Sequence, residues 1–286
     1  MKRLIINADD LGADEGRNEG IFEAIRAGVV TSASILPNGP ALEHALQWIR
    51  AGSFEKASFG VHLNLTEGRP LLDHVKPLTG HDGDFLGKAA AHQLLQEKGN
   101  GVLEAAVARE ADRQITLLLG AGMSLSQIDG HQHIHVFPAV IGPVLDVAKH
   151  HGIRWIRIPD EPVPDTGAGI PGNLPEETRF FVALGKAARG RLAGSGLRAT
   201  DHFRGLLLKG RLSVETLLAA IEQLPDGLTE LMVHPGRVAA GSAAGPFASF
   251  STADREREIE ALLDPSIRRA LKKSGIVLTS YREVDR

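Results

Sequence analysis

The strongest constraint on this chain is an alternation sustained along its length. Short runs of apolar and β-branched residues are each followed by a longer stretch with helical spacing. Residues 4–7 read as a first strand, and 15–27 as a helix in which Ile21, Ala24 and Ile25 share a face and Gly28 supplies the stop. The same reading gives strands over 29–36, 59–65, 125–129, 153–158, 197–201 and 228–233, with a closing strand over 276–280. Helices are predicted over 41–50, with Pro40 at its start, and over 89–95, 103–119, 138–150 and 180–192. Three more are predicted over 213–223, capped by Ser213, and over 255–263 and 266–274. Strands separated by helices favour a mostly parallel sheet joined by crossovers, an α/β fold. The Gly- and Pro-rich stretches 159–175 and 236–252 read as long loops that follow strands, where α/β folds place their sites. No interior stretch resembles a linker, and an α/β barrel commonly uses about 250 residues, so residues 1–286 are expected to form one domain.

Composition narrows the chemistry. Hydrophobic residues make up 43% and charged residues 23%, as in an ordinary globular chain. A net charge of −3 with no basic block argues against a nucleic-acid partner. With no cysteine, any transition-metal site must be built from imidazole and carboxylate. The first apolar run stops at Asn7, too early for an export signal, and no run reaches the roughly 18 apolar residues of a membrane span. A cytoplasmic enzyme is the expectation.

Four clusters can carry chemistry. Asn7-Ala8-Asp9-Asp10 ends the first strand. Its two carboxylates could divide metal binding and proton transfer if the turn begun by Leu11-Gly12 lets both face one pocket, or they could simply cap the next helix. His62 and Asn64 lie two apart, so a strand puts both on one face, where His62 is either a ligand or a hydrogen-bonded core histidine. His131, His133 and His135 also recur every second residue. An extended backbone would align all three, with Gln132 off that face, and coordination with supporting hydrogen bonds would satisfy the rings. His234, in Val233-His234-Pro235-Gly236, ends an apolar strand. An ordinary pKa near 6.5 would let it donate a proton near neutrality, although it could equally bond a loop carbonyl. Asp201-His202 form a weaker candidate pair. Arg154 and Arg157 lie near another strand end, where one could bind an oxygen-rich substrate and either could simply face solvent.

In order, these motifs resemble the YdjC-like carbohydrate deacetylase family, from Asn7-Ala8-Asp9-Asp10-Leu11-Gly12 through Gly28 to Ser34 and Gly60-Val61-His62-Leu63. The resemblance continues in the run from Asp129 to His135, in His234-Pro235-Gly236 and in the closing Ser280 to Val284. It implies an irregular (β/α) TIM-like barrel and hydrolysis of the N-acetyl amide of an N-acetylglucosamine-containing substrate. It further implies one divalent metal ion, Mg²⁺ or Zn²⁺, held by Asp10, His62 and His131, with Asp9 as general base and His234 as general acid. His133 and His135 resemble supporting histidines, either of which would touch substrate or orient a ligand. Gln132 interrupts what is an unbroken histidine run in some members. The stretch from Gly196 to Phe203 also resembles the hopanoid-biosynthesis-associated branch, which implies an N-acetylglucosaminyl hopanoid lipid as substrate. Phe180, Phe181, Leu184 and the run Leu206 to Leu208 would then form an apolar rim, or else ordinary core. The expected partners are thus an amino-sugar or glycolipid substrate and, in a dimeric form, a second copy of the chain.

Two rivals use the same residues. A glycoside hydrolase would use Asp9 and Asp10 but leave the histidines without purpose, and adjacent carboxylates poorly flank a sugar ring. A non-catalytic metal-containing sugar-binding protein would keep the metal, yet has no need of both Asp9 and His234.

Overall fold

The computed structural model describes residues 1–97, 99–163, 174–238, 245–248 and 252–285. Among these residues, eight parallel strands form one curled sheet, a half-barrel flanked by helices. The strands are β1 (Lys2–Leu11), β2 (Ser32–Ile35), β3 (Ser58–Leu63), β4 (Leu125–Gly130), β5 (Trp155–Ile156), β6 (His202–Arg204), β7 (Gly227–Val233) and β8 (Val277–Leu278). Their order is β5-β4-β3-β2-β1-β7-β6, with β8 beside the start of β1, where Arg3 and Leu4 pair with Val277 and Leu278. β1 is therefore central. Its Leu4, Ile5, Ile6 and Ala8 are fully buried, as expected of a parallel strand covered on both faces.

The helices are α1 (Glu15–Arg26), α2 (Leu42–Ala51), α3 (Lys88–Gln96), α4 (Gly101–Gly120), α5 (Ile141–His150), α6 (Leu174–Leu192), α7 (Val214–Glu222), α8 (Asp254–Leu263), α9 (Pro265–Lys273) and α10 (Tyr281–Val284). Ser213 caps α7 as expected, exchanging hydrogen bonds with Thr216. Asp14 caps α1 by accepting from the Arg17 amide at 2.7 Å. No helix among the described residues is long and apolar enough to cross a membrane.

The α/β expectation holds, with local corrections. The strand expected over 197–201 is a single bridge, Arg198 to Trp155, and the chain becomes β6 only at His202. That segment passes from the β5 edge to the β7 edge and so completes the curl of the sheet. The strand expected over 153–158 is regular only at Trp155 and Ile156. The histidine run after β4 is not extended: His131–Val136 coil into a 3-10 turn in which Gln132 and His133 have left-handed backbones. Parts of the loops expected over 159–175 and 236–252 lie outside the described residues.

Candidate metal centre and active site

The chemistry-bearing residues gather at the C-terminal ends of the strands, where the curl opens into a cleft. Asp9 and Asp10 come from β1, His62 from β3, His131 from just beyond β4, and His234 from just beyond β7.

Both aspartates face the cleft because β1 is irregular at its end. Asp10 has φ 66°, and the β1–β2 pairing shifts register between Ala8 and Leu11. Aspartate tolerates the left-handed region better than most side chains. The turn responsible is thus Asp10 itself rather than Leu11-Gly12. His62 reaches the cleft as the strand period requires, whereas Asn64 does not. Lying beyond β3, Asn64 shapes a turn, its carboxamide oxygen accepting from the Thr66 and Glu67 amides at 2.9 and 3.2 Å.

Asp10, His62 and His131 are all buried, and their ligand atoms lie within 4.8 Å of one another. Each side chain is held from behind by a partner. Arg17 donates to Asp10 Oδ2 at 2.8 Å, Asp129 Oδ1 lies 2.7 Å from His62 Nδ1, and Glu67 Oε2 lies 3.1 Å from His131 Nε2. The remaining atoms converge, with Asp10 Oδ1 3.2 Å from His62 Nε2 and 3.0 Å from His131 Nδ1. Two imidazole nitrogens and one carboxylate oxygen, each oriented by an outer hydrogen bond, make a donor set that fits a divalent ion.

Asp9, His62 and Asp129 also lie close together, but a cation already occupies that space. The buried Arg157 guanidinium grips Asp9 with two hydrogen bonds of 2.6 Å and reaches Asp129 at 2.9 Å and Glu230 at 2.7 Å. Three carboxylates share one guanidinium, so they do not ionise equally. Burial raises the Asp9 carboxyl despite Arg157, with Asp129 adding to the rise. Burial likewise pushes Glu230 up to about 7. At Asp129 burial is outweighed by Arg157 and His62, which bring it down to about 2. A carboxylate oriented by arginine yet raised above its usual range has the properties of a proton acceptor.

His234 sits across from Asp9, its Nε2 4.0 Å from Asp9 Oδ2, and Glu258 accepts from its backbone amide at 2.6 Å. The loop carrying His234 docks tightly on α1. A Cβ at Gly20 would fall 2.5 Å from the Gly236 backbone, so only glycine permits this approach. Burial, with Arg255 nearby, holds the His234 imidazole well below its ordinary value. The sequence reading expected a pKa near 6.5; enclosure by protein makes the ring neutral instead.

The other histidines part from the expected common face. His133 lines the cleft and packs on Phe181, ring centres 4.8 Å apart. His135 turns away, its Nε2 3.0 Å from the Arg157 carbonyl. Gln132, expected off the ligand-bearing face, also lines the cleft. Asp201 and His202 lie outside the site: Asp201 accepts from the Leu228 amide and His202 Nε2 meets the Asp226 carbonyl. Arg154 is exposed beside Asp285, while Arg157 is the buried hub, neither solvated nor open to substrate.

Sequence reasoning assigned no role to Asp129 or Glu67, and it read Arg157 only as a substrate-binding or solvent-facing residue. Asp129 carried a usable signal, since it lies two residues before His131 at a strand end. Glu67 carried none, because its position depends on the turn built by Asn64.

The profile of the YdjC-like protein family matches residues 3–273. A carbohydrate deacetylase of Mus musculus is 35% identical, with 99% of this chain and 95% of the relative aligned. One of Geobacillus stearothermophilus is 32% identical over 98% of this chain and 96% of its own length. Among solved structures, a cellobiose-phosphate cleavage protein of Enterococcus faecalis V583 superposes with a TM-score of 0.77 at 26% identity, covering 99% of this chain and 98% of its own. The order of the motifs, the half-barrel and the match over nearly the whole length agree: this chain belongs to the YdjC-like protein family.

Proposed function

We propose that the protein is a metal-dependent carbohydrate deacetylase that hydrolyses the N-acetyl amide of an N-acetylglucosamine-containing substrate to acetate and a free amine. The observation that carries this reading is the convergence of Asp10 Oδ1, His62 Nε2 and His131 Nδ1 beside the Arg157-held Asp9 and His234. The deacetylase relatives support the choice of reaction. A bound divalent ion would polarise the acetyl carbonyl and acidify a water molecule. Two imidazoles with one carboxylate favour Zn²⁺, while Mg²⁺ usually prefers an all-oxygen site.

Asp9 takes the proton of the attacking water, Arg157 keeping its carboxylate aimed at the cleft. His234 protonates the departing amine. Because the ring is neutral at rest, it must first gain a proton, and Asp9, 4.0 Å away, holds one once it has acted as base.

The glycolipid alternative keeps the same chemistry and asks more of the cleft wall. Phe181 and Leu206 line the cleft, but Phe180 packs on Phe137 and Leu184 belongs to the edge of the core. Phe181 is itself only 3% exposed. The apolar wall is therefore narrow, which favours a soluble amino sugar. Phe181→Ser is then expected to lower the melting temperature and kcat/KM on both substrate types together.

Acetate release from chitobiose, the N-acetylglucosamine disaccharide, is the deciding assay. Turnover should vanish with chelator and return with metal. Asp10→Ala, His62→Ala and His131→Ala should each lose the metal on dialysis. Metal held equally by all three variants would sink the site, and metal without acetate release would leave a sugar-binding protein.

A further inference from the structure

Among the described residues, three that are not glycine have left-handed backbones: Asp10, Gln132 and His133. Asp10 is explained by its place in the metal cluster. Gln132 and His133 are consecutive, at φ 54° and 56°, and no feature of the cluster requires them to be so. Side chains at such positions are strained, and glycine would relieve the strain at no steric cost. The chain instead keeps two polar side chains there and leaves them unsatisfied. Both amide atoms of Gln132 and Nδ1 of His133 are buried without a hydrogen-bond partner, and His133 is 7% exposed. Buried polar atoms are rarely left unpaired, and strained residues persist mainly where function needs them. Both residues line the cleft that holds the cluster.

We infer that Gln132 and His133 form a substrate-recognition pair that hydrogen-bonds the sugar hydroxyl next to the acetamido group. The inference rests on the deacetylase reading. Position selects the substrate atoms. The pair follows His131 directly in the chain, so it sits beside the reacting centre and meets the groups nearest the scissile amide. Chemistry selects the group: a hydroxyl both donates and accepts, and the Gln132 carboxamide offers one atom of each kind. Phe181 and Phe203, packed edge-on against the His133 ring with centres 4.8 and 6.2 Å away, fix its orientation, so the site is preformed. Substrate would then supply the partners that these atoms lack in the free protein.

Glycine substitution separates recognition from structure, because it removes the side chain while easing the backbone. Gln132→Gly and His133→Gly are expected to keep their metal; Gln132→Gly should melt near the wild-type temperature, and His133→Gly below it because its ring packs on Phe181 and Phe203. Each should raise KM for chitobiose about tenfold with kcat little changed, the pattern of a lost binding contact. Calorimetric affinity for chitobiose should fall in parallel. An analogue lacking the hydroxyl beside the acetamido group should bind wild type and Gln132→Gly equally. Gln132→Asn, which tolerates the left-handed backbone but shortens the amide, provides a second variant should glycine unfold the turn, and it too should raise KM. If wild type turns chitobiose over and the folded variants keep its KM, the inference falls and the deacetylase reading stands. If wild type neither binds nor cleaves chitobiose, both fall.

Discussion

Replacing Asp129 with asparagine changes one atom's chemistry at the junction of the metal cluster and the Arg157 hub. Asp129 Oδ1 meets His62 Nδ1 at 2.7 Å, while Oδ2 accepts from Ser34 at 2.6 Å and Arg157 at 2.9 Å. A carboxylate can serve both sides because every atom it offers is an acceptor. A carboxamide cannot. If its NH₂ faces His62, the ring must carry its proton on Nε2, the nitrogen turned toward Asp10. If the NH₂ faces Arg157, donors oppose donors. Losing a charge-assisted bond of this kind costs about 1.5–3 kcal/mol, and removing the orienting partner of a metal-bound histidine typically costs about 10–100-fold in metal affinity. At saturating metal, a 100-fold weaker site forfeits about 2.7 kcal/mol of metal-linked stability. That is about 5–10 °C of melting temperature, at about 2–4 °C per kcal/mol for a large domain. Metal-free stability should change less, because Asp9 and Glu230 still neutralise Arg157. The assay is thermal unfolding with and without metal, alongside competition with a chelator of known affinity. An asparagine variant that binds metal as tightly as wild type would refute the claim that Asp129 sets the His62 tautomer.

Asp9→Asn should retain metal, since Asp9 pairs with Arg157 outside the ligand set, and should lower kcat by about 10²–10⁴-fold, measured by acetate release. Undiminished turnover would reduce Asp9 to an anchor for Arg157. Glu67→Ala and Asn64→Ala should each weaken metal binding by about tenfold in chelator competition, one by releasing His131 Nε2 and the other by loosening the turn that carries Glu67. In the metal-free protein, burial alone would lower the His62 pKa, but Asp129 and Asp10 raise it to about 10 from 6.5. Its contribution to stability is therefore complete below pH 6.5 and is lost as pH rises through about 10. Because metal must displace that proton, binding should release it and tighten with pH, as calorimetry in buffers of different ionisation enthalpy would measure. Affinity independent of pH between 7 and 9 would contradict a protonated His62, whose pKa stands at about 10.

The alternation of strand and helix was legible in the chain's local patterns, and with it a parallel sheet whose working residues stand at the strand ends. Those signals are local: period two in β3 put His62 on one face, and the Ser213 cap marked where α7 begins. Sequence also placed Asp9, Asp10, His131 and His234 on the candidate list because each ends or follows an apolar run, and His62 because it alternates with apolar neighbours. How they divide the cleft was set by folding and packing. Asp10 turns inward through a left-handed backbone that aspartate permits but does not dictate, and the histidine run coils where alternation alone suggested a strand. His62 lies opposite Asp129 because β3 and β4 pair in that register, a partnership 67 residues apart in the chain. Arg157 looked like any charged residue near a strand end, yet carboxylates from β1, β4 and β7 enclose it. The altered acidities of Asp9 and His234 depend on which groups burial brings together, and that is a property of packing rather than of any stretch of sequence.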